Sequence, residues 1–177
     1  RLQLWLFLKG IGLPLEDSLK FFSSAFAKGG VTQDQFEKQY AYNIRHSYGK
    51  EGKRANYSPW SCLKVINMDK PKAKEHHGCP FENFNDAHLT QFLRGYKINP
   101  IELNKILHRK KELAHDKKVQ SSQVACKMLF DTMHKGVSKD NDVGMHPNAF
   151  FNESQKFLTE RHSTAGVADE TMAETSQ

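Results

Sequence analysis

Three cysteines are the residues of this chain whose chemistry is easiest to recognise. Cys62, Cys79 and Cys126 are separated by 16 and 46 residues, a spacing that matches neither a zinc finger nor a ferredoxin. Cys79 is followed directly by Pro80, and a proline in that place recurs at iron–sulfur ligands. The pattern therefore indicates a metal centre, and its alternative is three small, buried hydrophobic side chains.

Three thiols leave such a centre one ligand short. A four-iron cluster takes four protein ligands. The fourth has to come from upstream of Arg1, from His76 or His77 beside Cys79, or not at all. The odd number of cysteines also speaks against a disulfide framework, which would leave one thiol over.

A second candidate site is the basic segment, residues 42–54, which reads YNIRHSYGKEGKR. Four cations and one carboxylate give it a net charge of +3, and aromatic rings lie between the charges. Arginine and lysine neutralise phosphates, histidine and asparagine hydrogen-bond to phosphate or sugar, and tyrosine stacks on bases. The composition favours a nucleic-acid contact, although a solvated, charged loop has the same composition.

The remaining sequence argues for binding rather than for catalysis. The formal net charge of +6 favours a polyanionic partner. The sequence contains no His-Glu-x-x-His, Gly-x-Ser-x-Gly or P-loop motif, and no carboxylate pair stands out as a two-metal site. No apolar run approaches the roughly 18 residues of a membrane helix, so we expect no membrane partner.

Helical periodicity predicts a mainly α fold that carries these residues. Leucine and phenylalanine recur at spacings of three and four from Leu15 to Phe26, as in an amphipathic helix. Thr32 and Gln35 form a capping-box pattern, and Asn99-Pro100 and His146-Pro147 open two later helices. We place Cys62 on a short helix that starts at Ser58-Pro59, and Cys126 on a helix with Val124, Met128 and Phe130 or Met133 facing inward. The glycines of the basic segment predict a short hairpin or a loop, and residues 159–177 read as a disordered tail.

Six separated blocks of this sequence resemble one known family. The blocks are LFLKGIGL, YNIRHSYGKEGKR, SPWSCLKVI, HGCPF, QVAC and HPNAFFNESQ. In this order they are similar to the C-terminal domain of the large, regulatory subunit of eukaryotic DNA primase, over roughly residues 1–158. The resemblance implies a helical domain built around a [4Fe-4S] cluster with four cysteine ligands. It also implies binding of the junction between a DNA template and the 5′-triphosphate end of an RNA primer.

The resemblance assigns roles residue by residue. Cys62, Cys79 and Cys126 correspond to the second, third and fourth cluster ligands, and the first family cysteine lies upstream of Arg1. The nucleic-acid contacts that the resemblance and the basic composition imply are Arg1, Lys9, Tyr40, Tyr42, Asn43, Arg45, His46, Lys50, Lys53 and Arg54. Arg1 and Lys9 resemble residues that hold the triphosphate.

The same resemblance implies a non-catalytic, nuclear accessory subunit. Its expected partners are the small catalytic subunit of primase and DNA polymerase alpha. Two other classes remain open from the sequence. One is a helical iron–sulfur DNA-repair enzyme with a photolyase-like core, and the other is a zinc-stabilised protein-interaction module. A flavin spectrum would identify the first, and zinc in place of iron would identify the second.

Overall fold

The computed structural model describes residues 1–116, 118–134 and 142–159. Helices dominate these ranges, and no strand occurs in them, which confirms the expectation of a mainly α fold. In chain order the helices are α1 (Leu2–Gly10), α2 (Leu15–Lys28), α3 (Gln33–Phe36), α4 (Tyr42–Ser47), α5 (Cys62–Ile66), α6 (Pro80–Asn83), α7 (Asp86–Arg94), α8 (Pro100–Leu113) and α9 (Ser121–Met133). A further helix, α10, covers residues 147–159. A π turn, Glu37–Ala41, joins α3 to α4.

The helix starts follow local capping chemistry. The Thr32 hydroxyl accepts a hydrogen bond from the Gln35 N–H, and the Gln35 side chain accepts one from the Thr32 N–H, so the predicted capping box forms. The Asn99 side chain caps α8 ahead of Pro100, where a proline loses no hydrogen bond. These two starts lie where the sequence predicts them.

Two apolar clusters form the core. The first lies among α1 to α4 and contains Trp5, Phe22, Phe36, Ala41 and Ile44. The second lies among α6 to α9, and its buried members are Phe81, Leu89, Leu93, Leu103, Ile106, Ala125 and Leu129. The basic segment begins beside the first cluster. Two of the three cysteines, Cys79 and Cys126, pack against the second. Each candidate site therefore rests on its own part of the core.

Long-range hydrogen bonds tie the two parts together. Gln3 at the start of α1 donates to the Gly78 carbonyl at 3.2 Å and accepts from the Gly78 N–H at 2.8 Å. Asn148 of α10 donates to the Phe7 carbonyl at 2.8 Å. The rings of Phe7 and Phe151 meet edge to face with their centroids 6.1 Å apart. Helix α1 is thus held from two sides.

The structure corrects two local predictions. Helix α5 begins at Cys62 with Ser61 as its N-cap, later than the predicted start at Ser58-Pro59. The buried face of α9 consists of Ser122, Ala125, Leu129 and Phe130, so Phe130 does face inward, whereas Val124 and Met128 are only half-buried. Of the predicted tail, residue 159 is the last residue of α10, and residues 160–177 lie outside the described ranges.

Within the described residues, no helix has both the length and the apolar character that crossing a bilayer requires.

Candidate metal centre and nucleic-acid interface

The three cysteines lie along one cavity. Cys62 is the first residue of α5, Cys79 is the N-cap of α6, and Cys126 lies in the middle of α9. All three line a cavity of about 270 Å³ together with Phe92 and Tyr96. Residues that are far apart in the sequence are thus brought to a single place in the fold.

Burial and mutual repulsion govern the acidity of these thiols. Burial, and secondly the neighbouring Cys79, raises the pKa of Cys62 to about 11. Burial, followed by Cys79 and Cys62, raises the pKa of Cys126 to about 12. Burial also raises the pKa of Cys79, while the N–H groups of Glu82 and Phe81 act in the opposite direction. Three partly buried thiols that repel one another as thiolates gain from a cation between them.

Hydrogen bonds fix the elements around the cavity. The Ser122 hydroxyl donates to the Glu82 carboxylate at 2.6 Å and lies 3.3 Å from the Phe81 carbonyl, which joins α9 to α6. The Cys62 N–H donates to the Met145 carbonyl at 3.0 Å. The cysteines therefore lie on supported backbone at one edge of the second core cluster.

Thiolate chemistry is the feature of this site that fits an iron–sulfur cluster. Among the described residues, no three Cys, His, Asp or Glu side chains converge closely enough to hold one metal ion. In a four-iron cluster each thiolate binds a different iron, so its sulfurs lie farther apart than around one ion. The three cysteines are therefore chemically suited to supply three of the four ligands of such a cluster.

The two neighbouring histidines do not line the cysteine cavity. His76 and His77 line an adjoining cleft of about 530 Å³, and Cys79 lines both. The His77 Nε2 lies 3.4 Å from the Glu75 carboxylate. Of the sources that the sequence left open for a fourth ligand, the histidines have no support from this geometry.

The basic segment forms a helix end and a closed loop. Residues 42–47 make up α4, and an isolated antiparallel bridge between Tyr48 and Asn56 closes the loop after it. A single bridge is not a β-hairpin, so of the two predicted forms the described backbone has the loop. Gly49 and Gly52 take φ angles of +71° and +58°, a region that favours glycine. The π turn lies directly before α4, and such turns are frequent at functional sites.

An aromatic ladder crosses this segment. The rings of Tyr42 and His46 are stacked with centroids 5.9 Å apart and an interplanar angle of 29°, and His46 and Tyr57 lie 5.3 Å apart. Tyr42 is 47% exposed and Tyr57 is 44% exposed, whereas His46 is half-buried. Tyr57 is absent from the sequence-based set, although an aromatic residue just beyond a basic, glycine-containing run was a usable signal.

The cations of the basic segment fall into two groups. Arg45 is half-buried and bonds Glu51 at 2.9 Å and Glu37 at 3.4 Å. The side chains of Lys50, Lys53 and Arg54 are exposed, and within the described ranges none of these three forms an ion pair. Asn43 is likewise exposed. The ladder thus has exposed positive charge beside it and one oriented guanidinium.

Arg1 and Tyr40 lie together on the first core cluster. The Arg1 guanidinium lies over the Tyr40 ring at 5.1 Å and over the Phe26 ring at 5.7 Å. Tyr40 is half-buried and packs on Phe26 with centroids 4.4 Å apart. Tyr40 therefore supports Arg1 and leaves less ring surface for a ligand than Tyr42 does.

Lys9 is used inside the protein. Its ammonium donates to the Ser47 carbonyl at 2.8 Å, to the Asn56 side chain and to the Tyr57 carbonyl, and it lies 5.4 Å from the centre of the Tyr48 ring. Burial lowers the pKa of Lys9. This lysine joins the end of α1 to both sides of the basic loop, so its geometry is that of a clamp on the ladder.

Over residues 1–151 the chain matches the model of one family, described as the C-terminal domain of the large subunit of eukaryotic and archaeal DNA primase. The DNA primase large subunit of Homo sapiens is 45% identical over 161 residues, which cover 89% of this chain and 30% of that protein. The probable large subunit of Arabidopsis thaliana is 39% identical, covering 94% of the chain and 34% of that protein. The large subunit of Saccharomyces cerevisiae is 36% identical, covering 88% and 29%. The chain spans about a third of the length of these relatives.

Proposed function

The chain belongs to the family formed by the C-terminal domains of DNA primase large subunits, and we propose that it binds the junction between a DNA template and the 5′-triphosphate end of an RNA primer. In this role it supports primer synthesis during DNA replication and performs no bond-making itself. The proposed partners are the small catalytic subunit of primase, which carries out polymerisation, and DNA polymerase alpha, which receives the primer. The proposed site of action is the nucleus.

The observation that carries this proposal is the exposed aromatic ladder with exposed cations beside it. Tyr42 and Tyr57 offer ring surface, and stacking on tyrosine tolerates any base because every base has a π-face. Lys50, Lys53 and Arg54 are exposed in the same loop and suit the phosphates of a nucleic-acid backbone. Open ring surface and exposed cations in one loop therefore favour a nucleic-acid contact over a loop that is merely solvated.

The triphosphate part of the proposal rests on Arg1 and Arg45. A 5′-triphosphate is strongly anionic, and charge-assisted hydrogen bonds from guanidinium groups hold phosphates well. Arg45 is already oriented by Glu37 and Glu51, and Arg1 is oriented by Tyr40. Pre-oriented donors lose less conformational freedom when they bind.

We further propose that Cys62, Cys79 and Cys126 hold a [4Fe-4S] cluster, with the fourth cysteine upstream of Arg1 in the longer protein. Such a cluster would join α5, α6 and α9 covalently at the cavity that the three thiols line. Its proposed contribution is structural, because metal–ligand bonds that form only in the folded state stabilise that state.

The test is a comparison of primer 5′ ends. Fluorescence anisotropy should show tighter binding of a template–primer duplex with a 5′-triphosphate than of the same duplex with a 5′-hydroxyl. The affinity should fall with salt, with a logarithmic slope of about 0.7–0.9 per phosphate contact. Arg45→Gln should reduce the preference for the triphosphate, whereas Lys20→Gln, a change in an exposed lysine of α2, should leave it unchanged. Equal affinity for both 5′ ends would refute the triphosphate assignment.

A further inference from the structure

Tyr57 lies at the far end of the ladder, outside the set of residues that the family resemblance implicates. Its ring contacts His46 at 5.3 Å with an interplanar angle of 43°. Yet 44% of the residue remains exposed. Because the ring contacts His46 and much of the residue stays in water, apolar ring surface is still available for burial. It keeps a free surface for another ring.

The backbone of Tyr57 is firmly held. Its N–H donates to the Ser47 carbonyl at 3.2 Å, and its carbonyl accepts from the Lys9 ammonium. The bridge between Tyr48 and Asn56 closes the loop one residue earlier. With both backbone groups held and the ring in contact with His46, the tyrosine has less freedom left to lose when a base stacks on it.

His46 fills the space between the two tyrosines. A Cβ atom at Gly52 would lie 3.1 Å from the His46 ring and 3.5 Å from the Tyr42 hydroxyl, so the loop backbone covers the His46 edge. His46 is therefore enclosed by Tyr42, Tyr57 and Gly52. The open aromatic surface of the ladder belongs to its two tyrosines.

We propose that Tyr57 is a second base-stacking residue, which contacts an unpaired nucleobase of the single-stranded part of the substrate while Tyr42 contacts another. This inference rests on the proposed function, because it places a further contact in the same site. The exposed cations of residues 50–54 lie in the loop that joins the two tyrosines, where they can follow the phosphates between successive bases.

The test removes the ring and the base separately. Binding is measured by anisotropy with protein purified anaerobically, on a triphosphate template–primer duplex whose template overhang carries an abasic nucleotide at each of its first four positions in turn. On the intact overhang, Tyr57→Leu should weaken binding about 5- to 150-fold, the range for loss of one stacked base. At one abasic position the wild-type protein should lose the same factor, and Tyr57→Leu should lose nothing more.

Tyr57→Phe is the matched control, because it keeps the ring and removes only the hydroxyl. It should bind as the wild-type protein does and show the same abasic sensitivity. Additive losses at every abasic position, or full affinity of Tyr57→Leu, would overturn the inference. If the wild-type protein prefers the triphosphate and Tyr57→Leu binds as tightly as the wild type, only the inference about Tyr57 is refuted. If the wild-type protein binds both 5′ ends equally, the triphosphate part of the proposed function is refuted.

Discussion

The Lys9 clamp can be separated experimentally from a direct phosphate contact. Lys9→Met keeps most of the side-chain length, and thus packing against Tyr48, but it removes the ammonium and its three hydrogen bonds. The bond to the Ser47 carbonyl is partly buried, whereas the other two are exposed, so water replaces the ammonium there. We therefore expect the loss of about one charged hydrogen bond, or about 1.5–3 kcal/mol of unfolding free energy.

This loss should be visible by calorimetry and by urea titration. For a chain of this size, each kcal/mol lowers Tm by about 2–4 °C, so we expect a fall of about 3–12 °C. The slope of log affinity against log salt for the template–primer duplex should stay unchanged, because a clamp neutralises no phosphate. The matched control is Lys50→Met, which removes an exposed lysine. That variant should keep its stability within about 0.5 kcal/mol and lose about 0.7–0.9 of the salt slope.

The opposite pattern would refute the clamp. A Lys9→Met protein that melts like the wild type, and whose salt slope falls by one phosphate contact, would show that the ammonium leaves its internal acceptors to bind the ligand.

Three further outcomes follow from the same geometry. Gly52→Ala should lose about 1–2 kcal/mol of stability, because φ is +58°. It should also weaken binding, because the added Cβ meets His46. The control Gly30→Ala, at φ +85° with nothing within 4 Å of the added Cβ, should lose stability and keep its binding affinity. A chain extended upstream to include a fourth cysteine should carry iron at about four per chain after anaerobic reconstitution and should lose it on Cys79→Ser; a colourless extended chain would contradict the cluster. The metal-free chain should lose stability as pH rises above about 9. The folded state keeps protons on Cys62 and Cys126, whose pKa values are about 11 and 12, while the unfolded state releases them. Urea midpoints at pH 8 and pH 10 should therefore differ less for Cys126→Ala than for the wild type.

Local signals in the sequence predict the helices better than they predict the contacts. The start of α8 at Pro100 and the end of α7 at Arg94 follow from a cap or a glycine within one or two residues. The sequence pattern places the start of α5 too early, because Ser61 and not Ser58 supplies the cap. A run that contains both serines does not distinguish them, and the backbone hydrogen bond from Cys62 to Met145 is not visible locally.

The long-range contacts of the candidate site had no local signal. Lys9 reaches acceptors that are 38, 47 and 48 residues away, and only the folded chain shows that its charge is used internally. Tyr57 and His46 are 11 residues apart and meet because a single bridge closes the loop between them. The residue types of the site could be predicted, but the division between residues that position and residues that bind is a property of the tertiary structure.

Helix α1 explains how the two candidate sites keep a fixed relation. It has nine residues and is therefore about 13 Å long. At its start, Gln3 exchanges two hydrogen bonds with Gly78, the residue next to Cys79. At its end, Lys9 binds both sides of the loop that carries the aromatic ladder. A helix of this length bends little. One of its ends therefore holds the backbone beside the metal-ligand candidates, and its other end holds the backbone beside the stacking tyrosines.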